Sequence, residues 1–161
     1  MTTAQISEEA GNSARVASRA LRSTTLVLSL VGLGLSTYLS VAHFAGTQIL
    51  ACSSGGFVDC AQVTTSAQSY LLHIPVAFYG LPFFLGLTLL SLPWAWNPRS
   101  SWTAPTRYAL VTVGVLMVAY LVYAELAVIG AICIYCTGVH LTTLALFVIL
   151  SVNRLRQPRA A

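Results

Sequence analysis

The chain has 161 residues, 57% of them hydrophobic and only 7% charged, with a mean hydropathy of +0.78 and a formal net charge of +4. A water-soluble domain carries roughly a quarter charged residues, so this chain cannot cover a water-facing surface and reads as one integral membrane domain. The positive balance does not signal nucleic acid: all eight basic residues are Arg, in small groups outside the apolar runs, which suits membrane orientation better than a phosphate-binding groove.

Residues 1–23 form a polar tail with Glu8, Glu9, Arg15, Arg19 and Arg22. They lack a core-forming pattern and are expected to be a mobile cytoplasmic tail, helical at most near the membrane. The apolar run that follows is too long for a cleavable signal peptide. Thr24 to Phe44 is the first expected span: its 21 residues hold no Asp, Glu or Arg and rise about 32 Å as a helix. Gly32, Gly34 and Ser36 give it a small face for a neighbouring helix. Ala45 to Leu72 is a polar loop holding Cys52 and Cys60, with Val63 to Leu72 expected as a short helix at the membrane surface. Pro75 to Trp94 is the second expected span, with Pro75 in its first turn, Pro82 as an internal kink, and Pro93, Trp94 and Trp96 at its interfacial end. A short loop, Ala95 to Arg107, leads to a third span, Tyr108 to Ala127. Ile129-Gly130-Ala131 is a tight turn, and Ala131 to Val152 the fourth span. Residues 153–161 are a second cytoplasmic tail. The expected fold is all-α: a four-transmembrane-helix bundle over 24–152 with an extracytoplasmic capping loop.

Four spans put both termini and the Ala95–Arg107 loop on one side, and that side carries Arg15, Arg19, Arg22, Arg99, Arg107, Arg154, Arg156 and Arg159, every Arg in the chain. The positive-inside rule makes it cytoplasmic. All four Cys then lie on the opposite side, where disulfides persist.

Cys133-Ile134-Tyr135-Cys136 puts two sulfurs on one helix face about a turn apart. Such a pair can cycle as a disulfide, and it can equally be a metal half-site, a structural bridge or two inert thiols. A zinc site of all four Cys is disfavoured by an oxidising compartment. The N-terminus of a helix favours a thiolate at Cys133. Cys136, one turn deeper, faces the bundle interior, where a lipid-soluble oxidant can reach it. The Gly/Ser-rich loop with Cys52 and Cys60 can reach a soluble partner and can fold onto Cys133. Together the two pairs make a relay from partner thiols to a membrane acceptor, and the natural two-electron acceptor in lipid is a quinone. Two readings compete with it: a non-enzymatic scaffold with structural disulfides, and a small transporter, which would show mid-membrane polar residues and an internal repeat. Of the polar residues in or near the spans, His140 follows Cys136 by one turn, and Glu125 lies eight residues before Cys133. Either can be functional or simply satisfied in place. His43, His73 and Asp59 read first as solvated groups. Phe57, Tyr79 and Phe83 can line a quinone pocket, whereas Phe78 and Tyr135 read as packing.

The chain resembles the vitamin K epoxide reductase family in its bacterial form. The resemblance rests on Cys52-x7-Cys60 after the first span, Ser66 six residues beyond Cys60, His73-Ile74-Pro75-Val76-Ala77 with Gly80 entering the second span, and Cys133-x-x-Cys136 opening the fourth. The order separates it from the DsbB-like quinone oxidoreductases, whose C-x-x-C comes in the first outer loop. The resemblance implies a four-helix bundle around a quinone (menaquinone or ubiquinone) in the bacterial cytoplasmic membrane. It implies that Cys136 meets the quinone, that Cys133 exchanges with Cys60, and that Cys52 exchanges with the partner protein. It implies that Ser66 helps close the pocket and that His140 hydrogen-bonds toward the quinone. Some relatives carry a fused thioredoxin-like domain after a fifth span. Here the expected electron donor is a separate thioredoxin-fold, DsbA-like protein. The implied activity is quinone-dependent oxidation of protein thiols, with the same relay run for reduction as the neighbouring alternative.

Overall fold

Apolar runs in a bilayer fold as helices because a helix satisfies each backbone N–H and C=O internally. The computed structural model describes residues 3–46, 49–52, 56–96 and 102–156, with side chains from Arg19 to Leu155. Helix α1 runs Thr3–Ala45, so the polar N-terminal residues continue the first span as helix instead of standing apart from it. No Pro interrupts residues 3–23, and Ala, Arg, Glu and Gln there favour helix. Helix α2, Cys60–Thr65, replaces the surface helix expected over 63–72. Asp59 starts it early, its carboxylate accepting the Gln62 N–H at 2.9 Å. The Ser66 hydroxyl donates back to Val63 C=O at 2.8 Å where it ends. A single 3₁₀ turn, Ala67–Ser69, leads into a two-residue antiparallel pair, β1 (Tyr70–Leu71) with β2 (Ile74–Pro75), in register Tyr70 to Pro75 and Leu71 to Ile74.

Helix α3 is Val76–Ser91, with Pro82 inside. Its 16 residues reach about 24 Å, short of a hydrocarbon core of about 30 Å, because the hairpin delays its start and Leu92-Pro93 stops it in favour of a 3₁₀ turn, Pro93–Trp96. Helix α4 is Thr103–Tyr123, continued by a π-helical segment, Ala124–Ile129, and α5 is Ile134–Arg156. Among the described residues, three stretches are long and apolar enough to cross a membrane: Arg19–Ala45, Thr103–Ile129 and Ile134–Leu155, with mean hydropathies of 1.7, 2.1 and 1.8. Of the four expected spans, three are full-length among the described residues, and the second is instead a shorter apolar helix, Val76–Ser91. The Cys133–Cys136 helix begins after Cys133, not at Ala131.

Helix α1 packs chiefly on α3 and α5, and α4 packs on α5. Contacts depend on small residues. A Cβ at Gly32 would run into the Phe84 ring, and one at Gly114 would meet the Phe83 ring. Gly34, expected on the same face as Gly32, instead has open space around it. Many hydroxyls in the helices bond back one turn, as Ser29 does to Thr25 C=O at 2.8 Å and Thr143 to Val139 C=O at 2.9 Å, whereas those of Thr88 and Ser151 are buried without a partner among the described residues.

The Arg-bearing end is closed by aromatic stacking. Arg107 is buried, lies 3.9 Å from the Trp96 ring centroid, and donates from Nε to Leu90 C=O at 3.1 Å. Arg22 also faces Trp96, at 5.7 Å, and Arg154 lies 4.6 Å from the Tyr108 ring. Arg107 thereby satisfies a carbonyl left open at the end of α3. Replacing Arg107 with Met should cost roughly 2–3 kcal/mol, the scale of hydrogen bonds from a charged donor, read as a lower thermal midpoint in detergent by circular dichroism. Arg107→Lys should recover only part, since Lys has no planar fork to stack and bridge; equal stability of Arg107→Met and the parent protein would refute this cap.

Candidate functional site

The loop cysteines are brought to α5 by a backbone pairing that no local pattern announces. Val58 and Ile132 form a parallel bridge. The Ile132 N–H donates to Phe57 C=O at 2.8 Å, and the Asp59 N–H donates to Ile132 C=O at 3.1 Å. Each segment holds a cysteine one or two residues further on, Cys60 and Cys133. Both are fully buried, in one cluster with Leu39, Ala42, Leu50, Val63 and Ala131, against which Cys52, Tyr135 and Cys136 pack. A second fastening comes from α1: the Tyr38 hydroxyl donates to Ile49 C=O at 2.6 Å, and its ring lies 5.0 Å from that of Tyr135.

Cys52 and Cys60 are joined as a disulfide, with Cα atoms 5.9 Å apart. Cys133 and Cys136 are free thiols. Cys133 sits just before α5 and occupies the capping position. Its C=O accepts the Thr137 N–H at 2.8 Å, and its Sγ accepts the Cys136 N–H at 3.3 Å, as a Ser or Asp oxygen would at a helix start. The hydrogen bond from the Cys136 thiol lowers the Cys133 thiol below its ordinary value, helped by the N–H groups of Cys136 and Tyr135 and opposed by burial. The expected acidity of Cys133 therefore has a local cause in its partner sulfur as well as in the helix start.

Cys136 looks the other way. It lines a cavity of about 340 Å³ bordered by α1, α3, α4 with its π-helical extension, α5 and the Val63–Ser69 segment. The walls are mostly apolar, and Ser66, Tyr79, Phe83 and His140 are all among them. Phe57 is not: it is 59% exposed and contributes its backbone to the bridge instead. Tyr79 and Ser66 have their hydroxyls engaged, donating to Leu71 C=O at 3.1 Å and Val63 C=O at 2.8 Å. His140 and Glu125 are 5% exposed and line the cavity, and neither side chain has a hydrogen-bond partner among the described residues. Asp59 caps α2, and His43 pairs with the Tyr70 hydroxyl at 3.3 Å. His73 takes a positive φ of 66° in the hairpin turn. Among the described residues no cluster of three or more His, Cys, Asp or Glu is placed to hold a metal.

The profile of the Vitamin K epoxide reductase family matches residues 23–151, which include both cysteine pairs and every wall of the cavity. The chain belongs to the vitamin K epoxide reductase family. It is thus a membrane oxidoreductase of that family, with one cysteine pair closed as a disulfide. A quinone fits the residues present. The cavity has the size and apolar lining of a small-molecule site, two buried polar side chains are free to meet ring oxygens, and a free thiol stands in the wall.

The burial of Cys60 and Cys133 together makes a crosslink expected. In a Cys52→Ser, Cys136→Ser variant, mild oxidation should join Cys60 to Cys133, seen by mass spectrometry of the digested protein. Adding Ile132→Pro removes the N–H that reaches Phe57 and should lower the yield several-fold, whereas Ile132→Ala should not; equal yields would show that the bridge does not bring the sulfurs together.

Proposed function

We propose that this chain carries electrons from a thioredoxin-fold, DsbA-like partner through Cys52–Cys60 and then Cys133–Cys136 to a membrane quinone, menaquinone or ubiquinone. The result is disulfide formation in proteins outside the cytoplasm. The observation that carries this reading is the split between the two inner sulfurs. Cys133 is buried against the loop cysteine, and Cys136 faces the cavity. A static bridge has no need of two clients on opposite sides.

The steps follow from thiol–disulfide exchange. A partner thiolate attacks the loop disulfide at Cys52, and resolution of that mixed disulfide leaves Cys52 and Cys60 reduced and the partner oxidised. The Cys60 thiolate then attacks Cys133 Sγ in the inner disulfide, breaking its bond to Cys136. Cys52 attacks Cys60, closes the loop disulfide again, and releases Cys133. Two electrons and two protons have then moved to the inner pair. A bound quinone supplies the two-electron, two-proton acceptor. Ser66, Tyr79, Phe83 and His140 would hold it against Cys136. Return of the electrons to the cavity side re-forms the Cys133–Cys136 bond.

The distribution of Arg supports an arrangement with both termini cytoplasmic and the cysteines outside, in a bacterial cytoplasmic membrane. In that arrangement α3 serves as the fourth crossing, with the hairpin and the Pro93–Trp96 turn completing its depth. The protein in nanodiscs, mixed with a reduced thioredoxin-fold protein and a short-chain ubiquinone, should bleach the quinone absorbance. Cys136→Ala should abolish this. Cys52→Ala should abolish it with the protein donor yet keep most of it with dithiothreitol. Quinone reduction that survives the Cys133→Ala, Cys136→Ala double change would sink the relay.

A further inference from the structure

Glu125 is the one acidic residue inside an apolar segment, since Glu8 and Glu9 lie in the tail and Asp59 in the loop. It is 5% exposed, lines the same cavity as Cys136 and His140, and its carboxyl has no hydrogen-bond or ion-pair partner among the described residues. The backbone changes form at this point. Up to Tyr123 the chain is α-helical. Over Ala124–Ile129 it widens to the π-helical form, and the Gly130 N–H, at φ 72°, closes on Glu125 C=O at 2.9 Å. Widened turns of this kind recur where a helix must re-aim a side chain at a site. A carboxyl in an apolar span is costly, and one kept there without a partner has work in the cavity it faces. The other titratable groups of that cavity are His43 on α1, Tyr79 on α3, and Cys136 and His140 on α5. Among the described residues, no Arg or Asp lines it.

We propose that Glu125 is the proton-exchanging group of this cavity, giving a proton to a bound quinone oxygen as the electrons arrive and regaining one from the Cys136 thiol. This rests on the quinone reading above. When the Cys133–Cys136 bond forms, the two thiols lose two electrons and two protons, and the quinone gains two of each. Glu125 carries one proton per turnover, from Cys136 Sγ to the nearer oxygen, and ends as it began. The second proton leaves Cys133 to solvent and is replaced from solvent at the other oxygen.

Glu125→Gln keeps the shape and the hydrogen-bonding capacity but cannot exchange a proton in this way. It should slow quinone reduction about a hundredfold, the lower range for loss of a general acid. Binding of the same short-chain ubiquinone by equilibrium dialysis should stay within twofold, and exchange between the loop and inner pairs should not change. In parent protein, the infrared difference between oxidised and reduced states should contain a carboxylic-acid C=O band, absent from Glu125→Gln. Should Glu125→Gln fail to fold, Glu125→Asp, with partial activity and a shifted band, takes its place. A Gln variant within twofold of the parent rate overturns the proposal, as does a rate loss matched by lost binding, or a parent spectrum without that band. A parent protein that reduces no quinone overturns the functional reading first, which separates the two failures.

Discussion

Ile132 donates its N–H to Phe57 and accepts from Asp59, and the position of each sulfur follows from that exchange. The Asp59 that takes part is also the cap of α2, so the bridge and the helix start are one unit and Cys60 is seated at the first helical residue. On the other strand, Cys133 follows Ile132 directly and becomes the cap of α5. Two hydrogen bonds tie Phe57 and Asp59 to Ile132 beside the buried cluster of Leu39, Leu50, Val63, Cys60 and Cys133. Local shielding matters because exposed backbone bonds open easily, whereas these lie over a buried cluster. The bridge is also short. A single pairing can open without unfolding the helices beneath it, as the proposed exchange at Cys52 requires.

Below the bridge, the membrane segment tolerates polar groups in two distinct ways. Ser29, Ser40, Thr142 and Thr143 disappear into their own helices by bonding back one turn. Arg107 is matched to carbonyls and to the Trp96 ring at the opposite end of the bundle. Glu125 and His140 follow neither route, and both border the cavity. The hydroxyls of Thr88 and Ser151 are also buried without a partner among the described residues, away from the cavity lining. An ionisable side chain costs far more to bury than a hydroxyl, and Glu125 and His140 place that larger cost at the cavity.

The helices and their order were legible because apolar runs of spanning length leave few alternatives. The cysteine pairs were legible from spacing and order, and the cavity side of Cys136, with His140 beside it, from helical periodicity. What lay hidden depended on contacts across long sequence distances. Val58 and Ile132 are single β-branched residues in irregular segments, so no period marked them as a bridge. Phe57 was expected in the pocket for its ring, yet its part is a backbone carbonyl. The early end of α3 turned on the geometry of Leu92-Pro93, and hydropathy continues past it through Trp96. The π-helical segment, which carries Glu125 at the cavity, also has no composition signal.

In the proposed relay, the unequal sulfurs also give the electron flow a direction. When Cys52 attacks Cys60 in the mixed disulfide, the leaving group is Cys133. That thiolate is received by the Cys136 N–H and by the start of α5, and a stabilised thiolate leaves faster. The reverse attack, by Cys133 on the loop disulfide, must begin from the same stabilised sulfur and is slowed to match, since nucleophilicity falls as a thiolate is stabilised. The capping geometry therefore favours completion of the inward step, with the loop closed and the inner thiols free. That is the arrangement of the four sulfurs in the structure. From it, the proposed relay passes the electrons on through the face of Cys136 that borders the cavity.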